Sequence, residues 1–195
     1  MSATKSQKVR LVAGKVYRTS ELKRWDSNPT RLAHKLVEEG HLTQLRHGLY
    51  VHSSQSRFGP VPPKDRELLR AFLAGDRFVE TGPRFWNALG LGTTAVFAMP
   101  LVYNQKRSGV FEFGKRRFLL KRVAFPSKPT PEWYVVDLFE NAEQAATSRS
   151  SLANALAHAL ARGEFDAKNL RQMARRYGSK QTQALVAHSL QQAAR

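Results

Sequence analysis

Between Tyr17 and His52 the sequence reads YRTSELKRWDSNPTRLAHKLVEEGHLTQLRHGLYVH, and its punctuation leaves little freedom in what can form there. Asn28 or Ser27 offers an N-cap, Pro29 suits a first helical position because its missing N–H is not needed there, and Gly40 can end the helix in the left-handed conformation. These signals predict a helix from about Pro29 to Glu39. Its apolar positions Leu32, Leu36 and Val37 can pack on Leu22 and Trp25 of a preceding short helix. Two strands are expected next, Leu42 to Arg46 and Leu49 to His52. They join at His47 and Gly48, where glycine tolerates the positive φ of a tight turn. Two helices followed by such a hairpin predict a winged helix-turn-helix.

Turning the leucines inward leaves Thr30, Arg31, His34 and Lys35 on the other side of the helix. Such a face suits the major groove of DNA, where Arg pairs with guanine edges and positive charge meets phosphate. Arg46 and His47 fall at the hairpin tip, placed for a phosphate or the minor groove. An ordinary solvated helix face stands as the alternative.

Charge points the same way. Lys and Arg number 32 against 15 Asp and Glu, a formal charge of +17 that exceeds what solubility requires and predicts a polyanionic partner. Residues 1–57 carry 11 basic and 4 acidic side chains and residues 58–133 carry 13 and 6, whereas residues 134–195 carry 8 and 5. The field is therefore expected over the first two thirds. No apolar run approaches the roughly 20 residues of a membrane span, and the opening MSATKSQKVR has no signal-peptide core, so a cytoplasmic protein without a membrane partner is expected. The chain has no cysteine, which removes disulfides, thiolate metal sites and a cysteine nucleophile.

An α+β architecture is expected: a winged helix-turn-helix over residues 1–57, then an α+β and helical domain over 58–195. A short first helix is expected through Val9, Leu11 and Val12. HSSQSRFGPVPP, His52 to Pro63, reads as a linker. Leu68, Leu69, Phe72 and Leu73 form a helical stripe ended by Gly75, and Phe85, Trp86 and Leu89 a second one behind Gly82-Pro83. PLVYN, VFEF and RRFLLKRVAF are expected to form an antiparallel sheet, turning at Lys106 to Gly109 and at Gly114-Lys115. The run Lys106 to Arg122 mixes basic residues with phenylalanines, and Lys106, Arg107, Lys115, Arg116 and Arg117 are candidates for a secondary nucleic-acid surface. A solvated outer face of the sheet is the equal alternative. The last third reads as helices, one starting near Asp137, one spaced by Leu152, Leu156 and Leu160, one from Asp166 to Gly178, and one from Ser179.

Signals for catalysis are absent from the sequence. Gly90 and Gly92 are followed by Thr93-Thr94 without the lysine of a phosphate-binding loop, and Gly178-Ser179 is followed by no carboxylate of a nucleotidyltransferase. Glu112 and Lys115, three apart on a strand, face opposite sides and would not cooperate in a metal-dependent nuclease. His41, His47 and His52 lack partners at ligand spacing, and Asp137, Glu140 and Glu143 read as a solvated helix face or salt-bridge partners. The chain is expected to be no enzyme and to need no metal or cofactor.

YRTSELKRW and RLAHKLVEEGHLTQLRHGLYV, above all Arg46-His47-Gly48-Leu49-Tyr50, resemble the N-terminal winged domain of AbiEi-type antitoxins of type IV toxin–antitoxin, or abortive-infection, systems. FVETGPRFWNALGLGTT resembles the opening of their second domain, departing from it in carrying Pro83-Arg84-Phe85 where a small-residue pair is usual. The resemblance spans most of the chain, weakly in its last third. It implies a cytoplasmic autorepressor that binds operator inverted repeats in double-stranded DNA and neutralises a nucleotidyltransferase-like toxin through its C-terminal region. The DNA-binding role maps onto the six residues named above, whereas the antitoxin role maps onto none. A stand-alone transcriptional regulator, or a toxin-binding interaction protein without operator specificity, is the alternative.

Overall fold

The computed structural model describes residues 9–94, 96 and 99–195, a mixed α+β chain in two compact units. The first unit is Met1–Asp76 with Glu112–Arg116, and the second is Arg77–Phe111 with Arg117–Arg195.

In the first unit, β1 (Val16–Arg18) leads into a 3-10 helix (Thr19–Arg24), then α1 (Pro29–Glu38), β2 (Thr43–Arg46) and β3 (Leu49–Val51). The sheet order is β1-β3-β2, both pairings antiparallel, with Tyr17 opposite Tyr50 and Gln44 opposite the same residue. The expected caps hold at α1: the Asn28 side chain accepts from the Arg31 N–H at 3.0 Å, and Gly40 lies at φ +73°. Tyr17, Leu22, Leu32, Ala33, Leu36, Leu42 and Tyr50 form the core, with Trp25 and Val37 packed on it.

Two expectations fail here. Val9, Leu11 and Val12 form no helix. Val9 and Leu11 pack on the core as irregular chain, and the turn that follows them is held to the end of β3, Gly14 donating to the His52 carbonyl at 2.7 Å. Nor is 52–63 a bare linker, since β4 (Ser54–Ser56) and β5 (Gly59–Val61) pair antiparallel, Ser54 opposite Val61. Backbone hydrogen bonds form this hairpin without an apolar face, so no alternation marks it. α2 (Asp65–Leu73) follows, buries Leu68, Leu69 and Leu73, and packs on β1.

The second unit opens with β6 (Phe78–Thr81) and α3 (Pro83–Asn87), followed by β7 (Leu101–Asn104), β8 (Gly109–Phe113) and β9 (Arg116–Arg122). Their order is β6-β7-β9-β8, and the tip of the β8–β9 hairpin, Glu112–Arg116, belongs to the first unit. The sheet is mixed rather than antiparallel: β6 and β7 are antiparallel, but β7 and β9 are parallel, with Leu101 opposite Leu119. Non-consecutive strands make that pairing, which local turn signals do not encode.

Helices α4 (Pro131–Glu140), α5 (Arg149–Ala161), α6 (Ala167–Tyr177) and α7 (Lys180–Ala193) complete the unit. α4 starts six residues before the expected Asp137, capped by the Thr130 side chain with Pro131 behind it. It is buried nearly all round, so no stripe marks its start. Carboxylates near its two ends hold the next helices: Glu132 accepts from the Asp166 N–H (3.2 Å) at the head of α6, and Glu140 from the Ser179 N–H (2.8 Å) at the head of α7. Trp133, Val135, Val136, Leu138 and Phe139 of α4 share a core with Leu152, Leu156, Leu170 and Val186. No helix among the described residues is long and apolar enough to cross a membrane.

Candidate nucleic-acid interface

All six side chains expected to touch DNA belong to the first unit and are exposed. Thr30, Arg31, His34 and Lys35 lie outward on α1 while Leu32, Ala33 and Leu36 are buried beneath them. Arg46 ends β2 and His47 opens the turn to β3. Gly48 takes the positive φ of that turn, +74°, and its carbonyl accepts from the Thr19 N–H at 3.1 Å, fastening the turn to the start of the 3-10 helix.

Two of the four α1 residues already have anionic neighbours. Arg31 pairs with Asp26 at 3.5 Å and Lys35 with Glu39 at 3.8 Å, while Arg31 stays 74% exposed. The Asn28 N–H donates to Asp26 at 2.7 Å and, joined by Arg31, holds that carboxyl below the usual carboxylate range although burial opposes it. Exposed pairs of this kind contribute about 0–1 kcal/mol, so either cation can exchange its carboxylate for a phosphate or a base edge at little cost. The Arg46 guanidinium lies 5.7 Å from the Phe72 ring, which meets Phe113 edge-on at 4.8 Å. Such a contact orients the guanidinium.

His52 Nδ1 lies 2.7 Å from the His41 carbonyl, and His41 lies 3.9 Å from Glu39. Among the described residues, no group of three or more His, Asp or Glu is placed to hold a metal ion.

The second basic run is divided. Lys115 and Arg116 belong to the first unit, Lys106, Arg107 and Arg117 to the second. Arg116 is only half-exposed and holds the chain ahead of α2, donating to the Pro63 carbonyl at 3.1 Å and to the Asp65 carboxylate. Lys106 and Arg107 are exposed on a loop organised by the buried Asn104, whose side-chain oxygen accepts from their N–H groups at 2.8 and 2.7 Å.

One group that sequence reasoning places in solvent is buried. Asp137 accepts from the Thr81 hydroxyl, the Trp86 indole (2.7 Å) and the Asn141 amide (3.1 Å), and that amide also donates to the Tyr103 hydroxyl at 2.8 Å. Lys121 donates to the Asn141 oxygen at 2.8 Å. Burial raises the Asp137 carboxyl above its ordinary value against the opposing hydrogen bonds, raises the Tyr103 hydroxyl, and lowers the Lys121 ammonium. The available signal was a lone carboxylate inside the apolar run VVDLF. With donors on every side, Asp137 joins β6, α3 and α4.

No protein-family model matches the chain, and no curated protein matches it. Among solved structures it is similar to the RV2827C protein from Mycobacterium tuberculosis, at 13% identity and a TM-score of 0.56, over 92% of this chain and 72% of that one. That likeness is one of fold.

Proposed function

We propose that the first unit is a winged helix-turn-helix that binds operator DNA, with α1 in the major groove and the β2–β3 turn as its wing, and that the chain is a transcriptional autorepressor. The observation that carries the reading is the segregation on α1 and the turn. Every base- or phosphate-competent side chain there is exposed, and every leucine of the same helix is buried. The element order supports it: a strand, a short helix, a capped helix, then a hairpin whose second strand pairs back on the first. Ten residues give α1 a length of about 15 Å, compatible with a groove about 12 Å wide. The +17 charge supplies the sequence-independent attraction. The expected operator is an inverted repeat, read by two copies of the unit.

The antitoxin half of the reading is supported by the resemblance to AbiEi-type antitoxins, with a nucleotidyltransferase-like toxin as partner.

Selection from a randomised duplex pool, followed by binding measurements on the recovered sequence, tests the first half. Arg31→Ala is expected to lower affinity for that sequence and relax one base position. Unchanged affinity and unchanged selectivity would remove α1 from the groove. Co-expression with the adjacent gene product tests the second half: co-purification and rescue of growth support it, and a toxin that stays lethal and unbound refutes it.

A further inference from the structure

The β4–β5 hairpin of the first unit ends in Arg57 and Phe58, the two residues between Ser56 and Gly59. Phe58 is 86% exposed, and among the described residues it is the one aromatic that lies in the exposed class. Leaving an aromatic ring in water forgoes the stabilisation that burial would give it. The turn is nonetheless held in one shape. The Ser56 hydroxyl donates to the Gly59 carbonyl at 2.9 Å and accepts from the Phe58 N–H at 3.2 Å, and Gly59 sits at φ +106°, which a residue with a side chain rarely adopts. The Arg57 guanidinium lies 4.7 Å from the Phe58 ring. From His52 to Pro63 there is no acidic residue.

A narrow, hydrogen-bonded tip with one aromatic and one cation, and no anion near it in sequence, has the chemistry of a wedge for duplex nucleic acid. Proteins that bend DNA insert an apolar side chain into a base step from the minor groove while Arg or Lys holds the adjacent backbone. A membrane surface would call for a broader apolar face than one ring. We propose that the Arg57–Phe58 tip is a second DNA-contacting element, Phe58 entering a base step and Arg57 binding the flanking phosphate. This rests on the DNA-binding reading above. It implies a preference for pyrimidine–purine steps, which unstack most readily, and a bend toward the major groove.

The test uses the full chain and a duplex recovered by the selection above, carrying 2-aminopurine at a TA step and a dye at each end. Wild type is expected to raise the 2-aminopurine fluorescence and shorten the end-to-end distance. Phe58→Ala is expected to abolish both and to weaken binding about tenfold, with its melting transition unchanged because the ring is exposed. Phe58→Trp is expected to retain them, and Arg57→Ala to weaken binding while leaving part of the fluorescence change. A Phe58→Ala protein that still bends and unstacks the duplex overturns the inference. So does one that binds DNA normally but changes oligomeric state or loses binding to anionic vesicles, either of which gives the ring a different partner. Arg31→Ala separates the two readings, because it tests the recognition helix without touching the tip. A wild-type chain that binds no duplex refutes both.

Discussion

Asp137 and Arg31 lie at opposite ends of the range of environments a charged side chain meets here. Asp137 is nine-tenths or more buried among donors, so Asp137→Ala leaves the Thr81 hydroxyl, the Trp86 indole and the Asn141 amide without their acceptor. A loss of about 3–5 kcal/mol is expected, read as a lower urea midpoint for the second unit. Asp137→Asn keeps one accepting oxygen, and its loss should be smaller. Because burial raises the folded-state value, the native state holds this proton more tightly than the unfolded chain. Its contribution is therefore fully present at low pH and is lost as pH rises through the raised value. Arg31 is exposed, and Arg31→Ala should leave folding unchanged while costing about 1–3 kcal/mol of specific DNA binding, measured by titration against matched and mismatched duplexes. The placements of the two residues were not equally legible. Arg31 sits on a helix whose caps are written beside it, whereas two of the side chains that donate to Asp137, those of Thr81 and Trp86, lie more than fifty positions upstream.

At the scale of elements, legibility follows how local the determinants are. α1 could be read because Asn28, Pro29 and Gly40 mark its ends and Leu32 and Leu36 mark its face. α4 could not be started correctly because apolar residues surround it. The β4–β5 hairpin was hidden by Ser, Gly and Pro that read as linker. The parallel β7–β9 pairing joins strands that are not consecutive. Glu140 shows how one side chain couples two elements. Burial would raise its carboxyl, but the Thr182 hydroxyl and the Ser179 backbone and hydroxyl outweigh that and hold it below the ordinary carboxylate range. Its folded-state value is depressed, so its contribution is present above the unfolded value and disappears as pH falls through the folded one. The melting temperature of Glu140→Gln should therefore fall below wild type at neutral pH, and the two should converge in acid. Gly178 sets a further limit at the same junction, where an added Cβ would stand 2.8 Å from the Ala174 carbonyl. Gly178→Ala should shift the α6–α7 turn and lower the melting temperature by a few degrees, about 1 kcal/mol in a chain of this size.

At the scale of the whole molecule, the charge sets how binding responds to salt. If Z phosphates are engaged, the logarithm of the binding constant should fall against the logarithm of salt concentration with a slope of about −0.9Z. Replacing a phosphate-contacting lysine should reduce that slope by about one and weaken all sequences alike. A slope near zero would exclude a phosphate-based interface. The mixed α+β class, the C-terminal helices and the solvent exposure of the six candidate residues could all be reached from the sequence. The extent of the first unit could not, because it recruits Glu112–Arg116 from a later hairpin. Phe113 completes the contact with Phe72 there, and Arg116 ties the chain ahead of α2.

That recruitment ties folding to synthesis. Forty positions separate Asp76 from Arg116, and at about 5–20 residues per second a ribosome needs roughly 2–8 s to cover them. During that interval the nascent N-terminal segment has its α1 sequence in full but lacks the strip that covers Phe72. A truncated chain ending at residue 76 would remain in that condition permanently, prone to aggregation and to degradation. On the proposed function, operator binding by chains that carry this strip would then follow, rather than precede, translation into the second unit.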